Sequence, residues 1–146
     1  MIDQNPILAV PTLPLARYRL TFHADADLRL PTYTGSAWRG AFGRALKRLV
    51  CVTREPTCPP CLLYRSCIYP AVFETPPDPG VGKLTRYTAA PHPYVLIPDD
   101  QGGGIAAGAI LNLSVTLFGH GNRQLPYVVH ALSQAGQGGL GRDRGA

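Results

Sequence analysis

"SAWRGAFGRALKRLV", residues 36–50, is the stretch on which the fold turns. At 100° per residue, Trp38, Ala41, Phe42, Ala45, Leu46 and Leu49 fall on one side, the signature of a helix burying one stripe. Arg39, Arg44, Lys47 and Arg48 fall on the other, with Gly40 and Gly43 among them. The pattern predicts a helix from about Ser36 to Val50, with Thr34 or Ser36 as its N-cap. Just upstream, "ARYRLTFHA" (16–24) alternates around Tyr18, Leu20 and Phe22 and reads as a strand. "LRLPTYTGS" (28–36) joins the two as a connection rich in turn formers.

No carboxylate occurs between Pro31 and Arg54, so the basic side of the helix lacks the mixed signs that solvated faces use for i,i+4 pairs. Arg39, Arg44, Lys47 and Arg48 therefore read as phosphate contacts for RNA or DNA. Gly40 and Gly43 weaken a helix, and close approach of a ligand backbone is the reason expected for them. The chain as a whole carries a formal net charge of +5, in keeping with a polyanionic partner.

The helix runs into "CVTREPTCPPCLLYRSC" (51–67), which holds all four cysteines of the 146 residues. Cys58 and Cys61 form a C-x-x-C pair, and Cys51 and Cys67 flank it to complete a four-sulfur set. Pro56, Pro59 and Pro60 stiffen the loop and reduce the entropy lost on closing it. The N-terminus has no basic n-region and its apolar stretches are broken by prolines, so no signal peptide is expected. No apolar run approaches the ~18 residues of a membrane span. A cytoplasmic setting follows, in which thiols stay reduced. A structural zinc on Cys51, Cys58, Cys61 and Cys67 is the expected occupant, ahead of an iron–sulfur cluster or free thiols.

Further along, "IYPAVF" (68–73) is a short strand candidate. Residues 74–93 form a long proline-rich loop too broken for a core element. "PYVLIP" (93–98) reads as a short strand and "QGGG" (101–104) as a turn. "AILNLSVTLFG" (109–119) is the strongest strand, with Leu111, Leu113, Val115 and Leu117 on one face. "NRQLPYVVHALSQAG" (122–136) is a second helix, with Pro126 in its first turn and a stripe of Leu125, Val128, Val129 and Leu132. His130 lies opposite that stripe, on the surface.

The glycine-rich loop 136–146 formally holds G-x-G-x-x-G at Gly136, Gly138 and Gly141. It follows a helix and opens none, which excludes a dinucleotide fingerprint. Its amides beside Arg142 and Arg144 are instead a candidate phosphate contact. The order strand, helix, strand, strand, helix is an α+β, ferredoxin-like βαββαβ unit without its last strand, with the cysteine loop inserted after the first helix. The chain reads as one incomplete domain, 1–146, of a longer protein.

"YTGSAWRGAFGRALKRLVC" (33–51), "CPPCLLYRSCIYPAVFETPP" (58–77) and "LPYVVHALSQAGQGGLGRDR" (125–144) together resemble the CRISPR-associated endoribonuclease family that processes precursor CRISPR RNA. That family belongs to the RAMP superfamily, and the cysteines resemble its cysteine-containing branch. The resemblance covers nearly the whole chain from Arg17 on. It implies two ferredoxin-like RAMP domains, of which the second is absent here, with CRISPR repeat RNA and other CRISPR-associated proteins as partners. It also implies a metal-independent cleavage in which the ribose 2′-hydroxyl attacks the adjacent phosphate. That chemistry needs a base, an acid and a cation at the phosphorane.

In "RGAFGxAL" the family often places a histidine at x, where this chain has Arg44, a group too basic to exchange protons near neutrality. His23, at the end of the first strand, and Tyr33, before the helix, are the substitutes for proton transfer, with Lys47 for charge stabilisation. Two other functions fit the same residues: a non-catalytic RNA-binding RAMP subunit of a CRISPR effector complex, or a zinc-stapled domain whose basic helix docks an acidic protein.

Overall fold

A computed structural model describes residues 11–80, 89–99 and 102–140. Three antiparallel strands make the main sheet: β1 (Leu15–His23), β3 (Tyr94–Pro98) and β5 (Ile110–Phe118), in the order β1-β5-β3. The register runs from Leu15 opposite Phe118 to His23 opposite Ile110, and β3 pairs Tyr94 with Leu117 on the other side of β5. Period-two alternation directs Leu111, Leu113, Val115 and Leu117 to one face, all buried as expected. Tyr18, Leu20 and Phe22 of β1 pack against the same core. The helices α1 (Thr34–Val50) and α2 (Leu125–Gln137) contact each other and close that core with Trp38, Phe42, Leu46, Val128 and Leu132. Truncating Trp38 or Phe42 would cost about 3–5 kcal/mol by the usual core arithmetic. No helix among the described residues is long and apolar enough to cross a membrane.

Several local expectations are corrected. The α1 helix begins at Thr34, two residues early, and neither Thr34 nor Ser36 caps it. The capping position falls on Tyr33, whose carbonyl accepts the Ser36 hydroxyl at 3.1 Å, while Thr34 is buried. Leu49, at the helix end, is 40% exposed because the apolar stripe outruns the core. In α2, Val129 is exposed, and Ala131 and Ala135 complete the buried stripe.

The segment 68–73 is not a strand. Pro70–Glu74 forms a π-helical turn, closed by the Thr75 amide on the Pro70 carbonyl at 2.7 Å. Pro70 cannot donate to a strand ladder, and the helical turn buries Val72 and lays Phe73 on α1. A small second sheet, β2 (Leu28–Leu30) with β4 (Gly103–Ile105), forms where a connection and a turn were expected. Its three-residue strands are held by Leu28, Leu30 and Ile105, which join the core.

Candidate nucleic-acid interface

The four cations of α1 divide into two pairs. Arg44 and Arg48 are exposed and, among the described residues, have no hydrogen-bond or ion-pair partner. Arg39 and Lys47 are held by the protein. Lys47 Nζ donates to the Pro56 carbonyl at 3.0 Å and sits 5.6 Å from the Tyr69 ring centre, so it faces the cysteine loop. The two glycines divide likewise. A Cβ on Gly43 would lie 2.5 Å from the Phe73 ring, so that glycine serves internal packing, contrary to the ligand-approach expectation. Gly40 has only the Arg44 guanidinium beside it and keeps an open surface over which a ligand backbone can pass.

Gly40 and Arg44 line a groove with Ser36, Ala37, Gly139 and Leu140. The far wall exists because α2 runs on through Gln137, carrying Gly136 within the helix, before the chain turns at Gly139 with φ +84°. A second recess on the other side of Gly139 and Leu140 is lined by Phe22, His23, Asp25 and Trp38. The fold thus brings His23 and Arg44, 21 residues apart in sequence, into two recesses that share Gly139 and Leu140. Tyr33 stands 74% exposed at the start of α1 beside the groove-lining Pro31 and Ser36. Lys47 is not brought to this groove. Arg142 and Arg144 lie outside the described residues.

The sequence reading missed a third cluster. Arg39 donates through one terminal nitrogen to the Tyr94 hydroxyl at 3.2 Å and through the other to His92 Nε2 at 3.0 Å. Its guanidinium carbon lies 4.9 Å from the Phe73 ring centre. Arginine can only donate, so His92 Nε2 accepts and the ring proton sits on Nδ1. Nδ1 then donates to the Thr75 hydroxyl at 3.1 Å, and Thr75 donates to the Ala90 carbonyl at 2.7 Å. Burial first, and the neighbouring Arg39 charge second, hold His92 below its usual 6.5. Burial pushes the Tyr94 phenol up. Thr75 is buried with φ +46°, a strained backbone for a β-branched residue. The only sequence signal was a histidine set between Pro91 and Pro93 near the end of the proline-rich loop.

Cys51, Cys58, Cys61 and Cys67 all line one cavity of about 30 Å³, next to Lys47, Tyr64 and Tyr69. The Cys61 amide closes a turn on the Cys58 carbonyl at 2.9 Å, which keeps the central pair together. Burial, then the neighbouring Glu74 carboxylate, pushes the Cys58 thiol up to about 11. Burial likewise pushes Tyr69 up to about 12. Among the described residues no three Cys, His, Asp or Glu groups converge to metal-ligand distance. Four thiols, once deprotonated, are the donor types that a tetrahedral zinc takes, and these four share one cavity.

The family AF_1859_N, described as an N-terminal domain, matches residues 13–146. An uncharacterized protein of Archaeoglobus fulgidus (strain ATCC 49558) is 30% identical over 112 residues, which is 76% of this chain and 37% of that protein. The chain therefore spans little more than a third of that relative's length. No solved structure matches it. With the match running from the first strand to the end of the sequence, the chain belongs to the AF_1859_N family of N-terminal domains.

Proposed function

We propose that this domain binds CRISPR repeat RNA as the N-terminal RAMP-type part of a CRISPR-associated RNA-processing protein. The observation that carries the reading is the groove between α1 and Gly139–Leu140, where the unpartnered Arg44 meets an open Gly40. Cationic side chains without counter-ions, beside small residues that let a backbone come close, are what a phosphodiester chain needs. The strand order β1-β5-β3 supports the ferredoxin-like reading. In a βαββαβ unit the fourth strand lies beside β1, whose outer edge is unpaired among the described residues.

Cleavage at this groove would proceed by attack of the ribose 2′-oxygen on phosphorus, expulsion of the 5′-oxygen and formation of a 2′,3′-cyclic phosphate. The proton leaving the 2′-hydroxyl needs a base, and the departing 5′-oxygen needs an acid. The candidates are His23, which lines the recess sharing Gly139 and Leu140 with the groove, Tyr33, exposed at the start of α1, and Arg44 as the cation for the phosphorane. The test is incubation of a labelled repeat hairpin with the protein in EDTA, reading the 3′ end of any product. RNA bound without cleavage would favour the non-catalytic subunit reading. No salt-dependent RNA affinity would reject both in favour of a domain that docks an acidic protein.

Two further results are expected here. In the double substitution Arg44→Gln and Arg48→Gln, the slope of log affinity against log salt for a twelve-nucleotide oligouridylate should flatten by about 1.4, at ~0.7 per phosphate lost on a single strand. Thermal melting should barely change, since both side chains stand clear of the core. An unchanged slope would remove α1 from the interface. The cysteine loop is proposed to hold a structural zinc on Cys51, Cys58, Cys61 and Cys67, supported by their shared cavity. Elemental analysis should find about one zinc per chain, and Cys61→Ser should lower both zinc content and melting temperature. Four titratable thiols with unaltered melting would rule the zinc out.

A further inference from the structure

We propose that Arg39 and His92 form a clasp for a second phosphodiester of the bound RNA strand, on the flank of α1 away from the Gly139 groove. The inference rests on the RNA reading above and extends it to residues which that reading does not use. Three observations carry it. The Arg39 guanidinium is fixed in place by Tyr94, His92 and the Phe73 ring, yet among the described residues it has no carboxylate partner. Two of its five N–H donors are engaged by those hydrogen bonds and the rest remain for a ligand, and a pre-positioned fork is what recognises phosphate. Behind it, the histidine is itself held by Thr75, whose left-handed backbone ends a π-helical turn. Strain of this kind persists where the surroundings over-determine a conformation, and it concentrates at functional sites.

Position on the helix supports the same strand reaching both sites. At 100° per residue Arg39 and Arg44 stand 140° apart around α1, with Ser36, Gly40 and Lys47 between them. A helix is about 10–12 Å across. A strand crossing it over the open Gly40 would therefore meet Arg39 on one side and Arg44 on the other.

The clasp also has a proton balance. In the free protein His92 accepts from Arg39, so it must be neutral. Among the described residues, the groups facing it are the Arg39 cation from α1, the Tyr94 hydroxyl from β3 and the Thr75 hydroxyl at the end of the π-helical turn. The adjacent carboxylate, Glu74, acts on Cys58, Tyr64 and Tyr69 rather than on His92. A phosphate seated on Arg39 would offset its positive field and give an Nε2–H an acceptor. One proton then moves from solvent to His92 as the strand binds.

The experiment is titration of the oligouridylate into the protein from pH 5.5 to 8 at fixed salt, for wild type, Arg39→Gln, Arg39→Lys and His92→Asn. Affinity of the wild type should rise as pH falls, by up to about tenfold per unit within the window set by His92. The rise should vanish in His92→Asn. Arg39→Gln should weaken binding about 10- to 100-fold and flatten the salt slope by ~0.7. Arg39→Lys should restore the slope while recovering only part of the affinity. The wild-type His92 ring resonance, followed by NMR with and without the oligonucleotide, gives the same proton uptake without any substitution. Binding that depends on Arg44 but is indifferent to Arg39, His92 and pH would overturn the clasp and leave the RNA reading standing. No binding by the wild type would overturn both, and preference for oligoglutamate over RNA would identify an acidic-protein surface.

Discussion

If the RNA cleavage proposed above takes place in this groove, Arg44→His should raise its rate by about 10²–10⁴, the range over which a positioned acid–base group acts. Arg44 lines the groove with Gly139, so an imidazole there would face the phosphate proposed to bind in it. Arginine at that point can neutralise a phosphorane but cannot give up its proton near neutral pH. The unsubstituted protein should therefore bind tightly and cleave slowly. The gain should survive EDTA, because the RNA's own hydroxyl is the nucleophile, and the product should end in a 2′,3′-cyclic phosphate. Rapid cleavage by the unsubstituted protein would mean that His23, across the glycine segment, already transfers the proton. His23→Ala would then abolish that rate; a slow rate unchanged in His23→Ala would leave the groove without a proton-transfer group until Arg44→His supplies one. Loss of cleavage in EDTA with the fold intact would exclude 2′-hydroxyl attack without a metal.

What could be read from sequence was what has a period. The buried alternation of β5 and the stripe of α1 were visible because each repeats over several residues and each faces one core. The β2 and β4 strands, three residues each and partly glycine, are too short to show any period, and their pairing joins residues over 70 positions apart. The four cations of α1 looked equivalent because angular position alone distinguishes buried from exposed. It does not show which exposed side another segment will cover. The turn at Pro70–Glu74 and the loop residue His92 cover one edge of that surface, pinning Arg39 and leaving Arg44 and Arg48 without a partner among the described residues. The cysteines were legible as a set, since a cluster in sequence requires proximity in space, and they do line one cavity.

Gly40 and Gly43 of α1 allow that distinction to be measured, with effects of opposite sign. Gly40→Ala should stabilise the protein by up to ~1 kcal/mol, because alanine favours a helix interior and the new Cβ meets only the flexible Arg44 side chain at 3.4 Å. Gly43→Val has no such room. Its Cβ would lie 2.5–3.0 Å from three atoms of the Phe73 ring, which is stacked on Tyr69 and capped by Arg39. Overpacking of this kind costs about 1–3 kcal/mol, and a β-branched residue recovers little of the helix propensity that alanine would. A net loss of about 1–3 kcal/mol should lower the melting temperature by several degrees in a chain of this size.

The effects on RNA should not track the effects on stability. Gly40→Ala, although more stable, places a methyl group on the surface where the strand is proposed to cross, so its affinity should fall. Gly43→Val shifts Phe73 and with it the support of Arg39, so it should mimic Arg39→Gln in salt slope while leaving the Arg44 contribution intact. Melting curves and salt-dependent binding of both variants decide the matter. If Gly40→Ala binds RNA as well as the wild type, the strand does not cross α1 at that point, and Arg39 and Arg44 cannot belong to one continuous contact.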